Sequence, residues 1–383
     1  MLKEYFEATF DPQDPLAVWR KKFWDRYAER GWPTSRDEAF QYIPLKDIHI
    51  PKPCMPSGTT LPIETPGQLG FVDGFFSAAS SRLSPEIVCL PLDQAAHSYG
   101  IFLQNRFTRA LKEEQDPLAL LNGAFQRQGI FLYVPPNVQG HITVVHQFIA
   151  QAMATPRILL YLVRGAKLIL EQRSHHPHFC NAYLDVVLDA GAHGEVRDLA
   201  FASDTGVMFQ SIRASLKRDS HLHLSLYSEG TALSRTSLQV QLMEENSQAL
   251  LQGLSRLSGM RHHHIHAKVE HKAPHTHSRQ HFKGVLQGCS RSSFEGKIYV
   301  HPIAQKTEAY QLNNYLLLNE GAMAYSKPNL EIFADDVKAS HGATLGQLDE
   351  EALFYLRSRG MPLVEAQGCL VEGFCRELSG CLP

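Results

Sequence analysis

The run Ile158-Leu-Leu-Tyr-Leu-Val163, Arg164-Gly165-Ala166, Lys167-Leu-Ile-Leu170 decides how this chain folds. Two short aliphatic runs flank three residues that contain a glycine, which reads as strand, tight corner, strand. The same manner recurs from about Phe131 to Ser340: residues 142–145, 184–188, 222–226, 238–242, 297–300 and 315–318 are short strand-like runs. Corners of related type stand at Asp189-Ala-Gly-Ala192, Glu229-Gly-Thr-Ala232 and Asn319-Glu-Gly-Ala322. Glycine supplies the backbone freedom of a corner, and alternating apolar residues point into a shared core. Many short strands with recurrent corners and hardly any helix suggest stacked β coils or a sandwich, and the residues alone leave both open.

Helix frames this region. Residues 15–31 carry Leu16, Trp19, Phe23, Trp24 and Tyr27 at helical spacing, ended by Gly31 and Pro33. Residues 52–65, with prolines in and beside them, read as an irregular linker, and residues 117–125 as a short helix. Asp349-Glu350-Glu351 opens a further helix with negative charge at its positive end, and Arg357, Arg359 and Gly360 close it. Beyond it, Leu363, Ala366, Leu370, Phe374 and Leu378 form one apolar stripe. The expected organisation is a helical region over 1–130, a β core over 131–341 and a helical region over 342–383.

Composition narrows the function classes. The 383 residues are 44% hydrophobic and 20% charged, as in an ordinary globular protein, and the net charge of -2 gives no reason to expect nucleic acid or an anionic membrane. Met1-Leu-Lys-Glu-Tyr-Phe-Glu lacks a basic region followed by an apolar run, so a cytoplasmic location is expected. Seven cysteines (Cys54, Cys89, Cys180, Cys289, Cys369, Cys375, Cys381) include no CxxC pair and read as free thiols of a reducing compartment. There is no GxxxxGK[ST] phosphate loop, GxSxG elbow or HExxH helix. Asp335-Asp336 is the best carboxylate pair for a glycosidase-like groove, and adjacent strand residues face opposite ways.

Twenty histidines are many, and His262, His263, His264, His266, His271, His275, His277 and His281 crowd one region. Imidazole is a common metal ligand. On strands, His262, His264 and His266 share a face, and so do His275 and His277. His271, His275 and His277 are the metal candidates here, and a stand-alone β-helical metal-binding protein or enzyme using this cluster is the alternative reading. Rings stacked along a β ladder are the simpler one. His175-His176 with His178 and Cys180 ranks lower because Pro177 interrupts it. His341 stands just before Gly342, where the strand pattern of Leu330, Ile332 and Ala334 would run out into a turn.

Several words occur in fixed order: Phe294-Glu-Gly-Lys-Ile298, Ala304-Gln-Lys-Thr307, Gln311-Leu-Asn-Asn-Tyr-Leu-Leu-Leu318, Lys327-Pro-Asn-Leu-Glu-Ile332, Asp335-Asp-Val-Lys338, Ser340-His-Gly-Ala-Thr344 and Phe354-Tyr-Leu-Arg-Ser-Arg-Gly360. The chain resembles the SufB/SufD family of iron–sulfur cluster assembly proteins through these words, on its SufD branch. The resemblance implies a mainly β fold: a right-handed parallel β-helix core flanked by N- and C-terminal helical regions. It reads His271, Ser278 and a Gly284-Val285-Leu286 turn as fold-specifying. It implies a non-catalytic scaffold that pairs with a SufB-like subunit through edge strands. A SufC-like ATPase would dock on the C-terminal helices, through Leu370, Phe374 and Leu378, and a homodimer would form when the chain is alone. A transient iron–sulfur cluster shared with SufB would be built beside His341. Many relatives place a cysteine two residues before that histidine, where this chain has Ala339, and Leu312 stands where SufB carries its cluster cysteine. No flavin-binding fingerprint is evident.

Overall fold

A computed structural model describes residues 1–46, 48–175 and 177–381. Among them, two ten-stranded sheets run the length of the molecule, and the chain crosses from one to the other at each corner. The first sheet holds eight parallel strands from Ile130–Val134 to Met323–Ile332; the second holds nine from Gln68–Val72 to Lys338–Gly346. Register is nearly unbroken, so each residue lies under its counterpart one coil further on. This is a parallel β-solenoid of about eight turns, and parallel pairing excludes the sandwich, whose sheets are antiparallel.

Alternation fills the interior. Leu168 and Leu170, Leu184 and Val186, Leu222 and Leu224, Leu238 and Val240 all point inward and are at most 2% exposed. Each such side chain contributes roughly 1.5–3 kcal/mol by leaving water. One corner of successive coils needs a residue in the left-handed region, and Asn137, Gly165, Gly191, Asp219, Asn246, His275 and Lys306 fill it at φ 56 to 69°. Asn, Asp and Gly tolerate that conformation best, and the sequence reading marked the corners at Gly165 and Gly191. His275 is therefore a corner residue, and it shares no strand face with His277, where the next strand begins. The expected turn at Gly284-Val285-Leu286 is strand as well, inside His277–Leu286. Gly284 stands there because a Cβ would lie 2.4 Å from the Tyr315 ring.

The coils extend past both expected boundaries, from Gln68–Val72 to Lys338–Gly346. Helices Leu2–Thr9, Ala17–Arg30, Gly100–Glu113 and Pro117–Phe125 cover the outer face of the first sheet. There Phe6, Phe23, Phe107 and Phe125 join Leu159, Phe179, Phe209 and Leu233 in one core. Buried ion pairs rivet this cap to the coils: Arg213 to Glu114 at 2.8 Å, Arg235 to Asp116 at 2.6 Å, and Arg106 to Asp185. Burial alone would raise the Asp116 carboxyl, but Arg235 and Arg213 hold it down at about 2. At this end Phe75–Arg82 and Val88–Pro91 close the sheets with antiparallel strands. Among the described residues no helix is long and apolar enough to cross a membrane.

Candidate functional site

The opposite end is open. Met323–Ile332 and Lys338–Gly346 each have a hydrogen-bonded neighbour strand on one side only. Unpaired edges of this kind present main-chain donors and acceptors to another chain. Exposed apolar side chains rim it, with Phe333 55% and Leu345 49% exposed. His341 lies in the middle of the edge strand Lys338–Gly346, whereas the sequence pattern had placed it at a strand end. Its Cα pairs with that of Gln311, an inward residue only 3% exposed, so His341 faces the solenoid axis on the last coil.

Beneath His341 the interior changes character. The column that runs through Leu224 and Leu251 continues as Gln280, Gln311 and His341. Gln311 Nε2 donates to Gln280 Oε1 at 3.0 Å. Its carboxamide crosses the interior because residue 296 is glycine; a Cβ there would lie 2.3 Å from Gln311 Nε2. Asn313 accepts from Ser326 Oγ at 2.7 Å and donates to the Phe282 carbonyl at 3.3 Å. An exposed imidazole thus sits on a polar floor at the mouth of a column that is aliphatic further down, at Leu251 and Leu224. Ala339 belongs to the same inward row, stacked on Ala309 beside Ile298 and Val300. Leu312 pairs with Gly342 and faces outward, on the other face of the sheet from His341.

The histidine cluster disperses. His263 points inward between Thr236 and Ser255, whose hydroxyls lie 3.1 and 2.8 Å from its two ring nitrogens. His271 is fully buried, with Thr276 Oγ1 and Ser278 Oγ each 2.8 Å from a ring nitrogen. Burial pushes His271 down to about 3. His277 faces outward, 3.8 Å from Glu308, into a shallow groove of about 680 Å³ that His193 and His221 also line. His271, His275 and His277 thus occupy a core, a corner and a surface. Among the described residues, no three His, Cys, Asp or Glu side chains are placed to hold one metal ion. His263, His264 and His271 are bonded to hydroxyls, and the alternative metal reading finds no ligand set among the described residues. His176 lies outside the described residues; Cys180 is buried and its thiol is pushed up by that burial.

The C-terminal stripe is corrected too. Leu378 is 1% exposed and packs with Val371 and Cys375 on Tyr227, Leu254, Val285 and Leu316 of the second sheet. Phe374 is half-buried; its carbonyl accepts from Lys283 Nζ at 2.8 Å. Leu370 is half-buried on the same helix, Leu363–Cys375. These residues fasten the helix to the coils. The free apolar surface stands on the preceding helix and at the start of this one: Phe354 73%, Tyr355 61%, Leu363 43% and Val364 79% exposed. Asp349 fixes the first of these helices, Glu350–Ser358, by accepting from the Glu351 and Ala352 amides. Sequence reasoning took Leu363 into the stripe and did not read Phe354, Tyr355 and Val364 as a surface, because it followed the longest apolar pattern, most of which the core consumes.

Comparison with known proteins assigns the whole coil region. Residues 145–374 match the family model described as "SUF system FeS cluster assembly, SufBD core domain", and residues 68–144 match that of the SufBD protein N-terminal region. The chain is 26% identical to the iron–sulfur cluster assembly protein SufD of Escherichia coli (strain K12), over 98% of this chain and 91% of that protein. It is 27% identical to an iron–sulfur cluster assembly SufBD family protein of Synechocystis sp., over 84% of this chain and 76% of that one. A SufBD family protein of Mycobacterium leprae is 33% identical over 51% of this chain and 52% of its own length. With its solenoid, its helical cap and most of its length matched, the chain belongs to the SufB/SufD family of iron–sulfur cluster assembly proteins.

Proposed function

We propose that this chain is a non-catalytic scaffold subunit, working with a SufB-like sister and a SufC-like ATPase, on which a nascent iron–sulfur cluster is assembled. The observation that carries the reading is the open coil end with His341 at its mouth. The cluster is cargo here. A sister chain completing the unpaired strands of the rim would bring its own thiolate to the same mouth, and a neutral imidazole supplies a ligand that needs no deprotonation at pH 7. Energy would come from the ATPase, docked on Phe354, Tyr355, Leu363 and Val364 in place of the buried stripe. Its closure would move the helices against the coils and open the seam for iron and sulfide.

Two experiments test this. His341→Ala, on a solvent-exposed position, should leave the melting temperature unchanged and lower cluster delivery in cells roughly tenfold or more, as loss of a metal-site group does. Unchanged delivery would remove the histidine from the mechanism. Phe354→Asp with Val364→Asp should abolish capture of a SufC-like ATPase in a pull-down, a loss of about 2–4 kcal/mol at paired hot spots. Wild-type capture by the doubly substituted, folded chain would show that the ATPase docks elsewhere.

A further inference from the structure

The polar floor under His341 holds two buried atoms without partners: Gln280 Nε2 and Gln311 Oε1. Both side chains are at most 3% exposed. A buried polar atom left unpaired costs about 1–3 kcal/mol, and leucine, which fills this column two coils below, would cost nothing of the kind. The orientation is constrained. Gln311 spends its Nε2 on Gln280 Oε1 at 3.0 Å, which leaves its Oε1 as the acceptor. The next inward side chain of the column, one strand spacing of roughly 4.8 Å away, is His341.

We infer that Gln311 is a positioning residue for His341: the exposed ring, by turning toward the unpartnered Gln311 Oε1, donates one N–H to it and directs the lone pair of the other nitrogen out through the open end. The inference rests on the proposed metal role of His341. Imidazoles that ligate metals characteristically donate their second nitrogen to an oxygen, which fixes tautomer and ring orientation together. Gln280 acts through Gln311 by holding the carboxamide so that oxygen and not nitrogen meets the ring. Gly296 gives the carboxamide its room. A column made only of leucine would bury more apolar surface and would leave the imidazole free to rotate.

The test uses the full chain labelled with ¹⁵N-histidine at pH 8, where His341→Ala identifies the ring signals of His341. In the native chain those signals should report one dominant tautomer. Gln280→Leu with Gln311→Leu should shift them to the mixture of a free imidazole, and Gln311→Glu, which keeps an acceptor oxygen, should retain the single tautomer. The double leucine variant should melt no lower than the native chain, because the apolar column is merely extended. Its cluster delivery in cells should nevertheless fall to the His341→Ala level. Identical His341 signals in the native and double leucine chains would overturn the inference, even if His341→Ala had abolished delivery. Conversely, undiminished delivery by His341→Ala would overturn the metal role, while the tautomer still decides the hydrogen bond.

Discussion

Acidification from pH 7 to 4.5 should strongly destabilise this protein. Four histidines are at most 4% exposed: His146, His263, His264 and His271. Burial disfavours the charged imidazolium and pushes His146 and His263 down to about 4, His271 to about 3, and His264 well below its ordinary 6.5. Each ring has a folded-state pKa below its unfolded one, so the unfolded chain takes the proton first and acid favours unfolding. The loss begins as pH falls through about 6.5 and reaches on the order of 2–3 kcal/mol at pH 4.5 for each of His146, His263 and His271, with His264 adding in the same direction. Asp198 works the other way: burial raises its carboxyl to about 6, which returns about 2 kcal/mol over the same interval. The net loss, on the order of 5 kcal/mol before His264 is counted, is comparable with the whole stability of a typical domain at about 5–15 kcal/mol. Urea midpoints measured between pH 7 and 4.5 should fall steeply, with uptake of several protons per molecule. Flat midpoints across that interval would mean that these rings are not buried neutral.

Glu114→Ala should cost about 3–5 kcal/mol, because it strands the Arg213 guanidinium in the interior. Glu114 takes Arg213 Nε at 2.8 Å and Nη2 at 3.0 Å, and the arginine is 7% exposed. The Ser237 carbonyl at 2.8 Å would remain as an acceptor, but it carries no charge to offset the lost carboxylate. Replacing both partners, Glu114→Leu with Arg213→Leu, should recover most of the loss, since removing a buried pair together is often neutral. Thermal unfolding of the three chains measures both effects. A single variant within about 1 kcal/mol of the native chain would show that solvent reaches this pair.

Much of the architecture was legible because a solenoid repeats its physics. Short runs ending in Gly, Asn or Asp recur once per coil, and each residue type answers a local demand, an inward methyl or a left-handed corner. The corners with Asn137, Asp219, Asn246, His275 and Lys306 show the limit, since no glycine marks them. Helix Leu92–Ser98 is too short to show a stripe, whereas Gly100–Glu113 escaped notice although Leu103, Phe107, Ala110 and Leu111 recur at helical spacing. His341 was found through neighbouring words, while its setting was not. Gln280 and Gln311 look like ordinary surface residues until register stacks them under the histidine. Likewise Leu378 and Val364 are both aliphatic, and only the packed structure tells the buried one from the bare one.

The two ends of the ladder are unlike. At one, both sheets stop on strands that run with the coils; at the other, the reversed strands Phe75–Arg82 and Val88–Pro91 terminate them. Every terminal strand leaves one edge unpaired, but parallel and reversed edges space their donors and acceptors differently. A strand that joins in register with the coils is thereby directed to the end that carries His341.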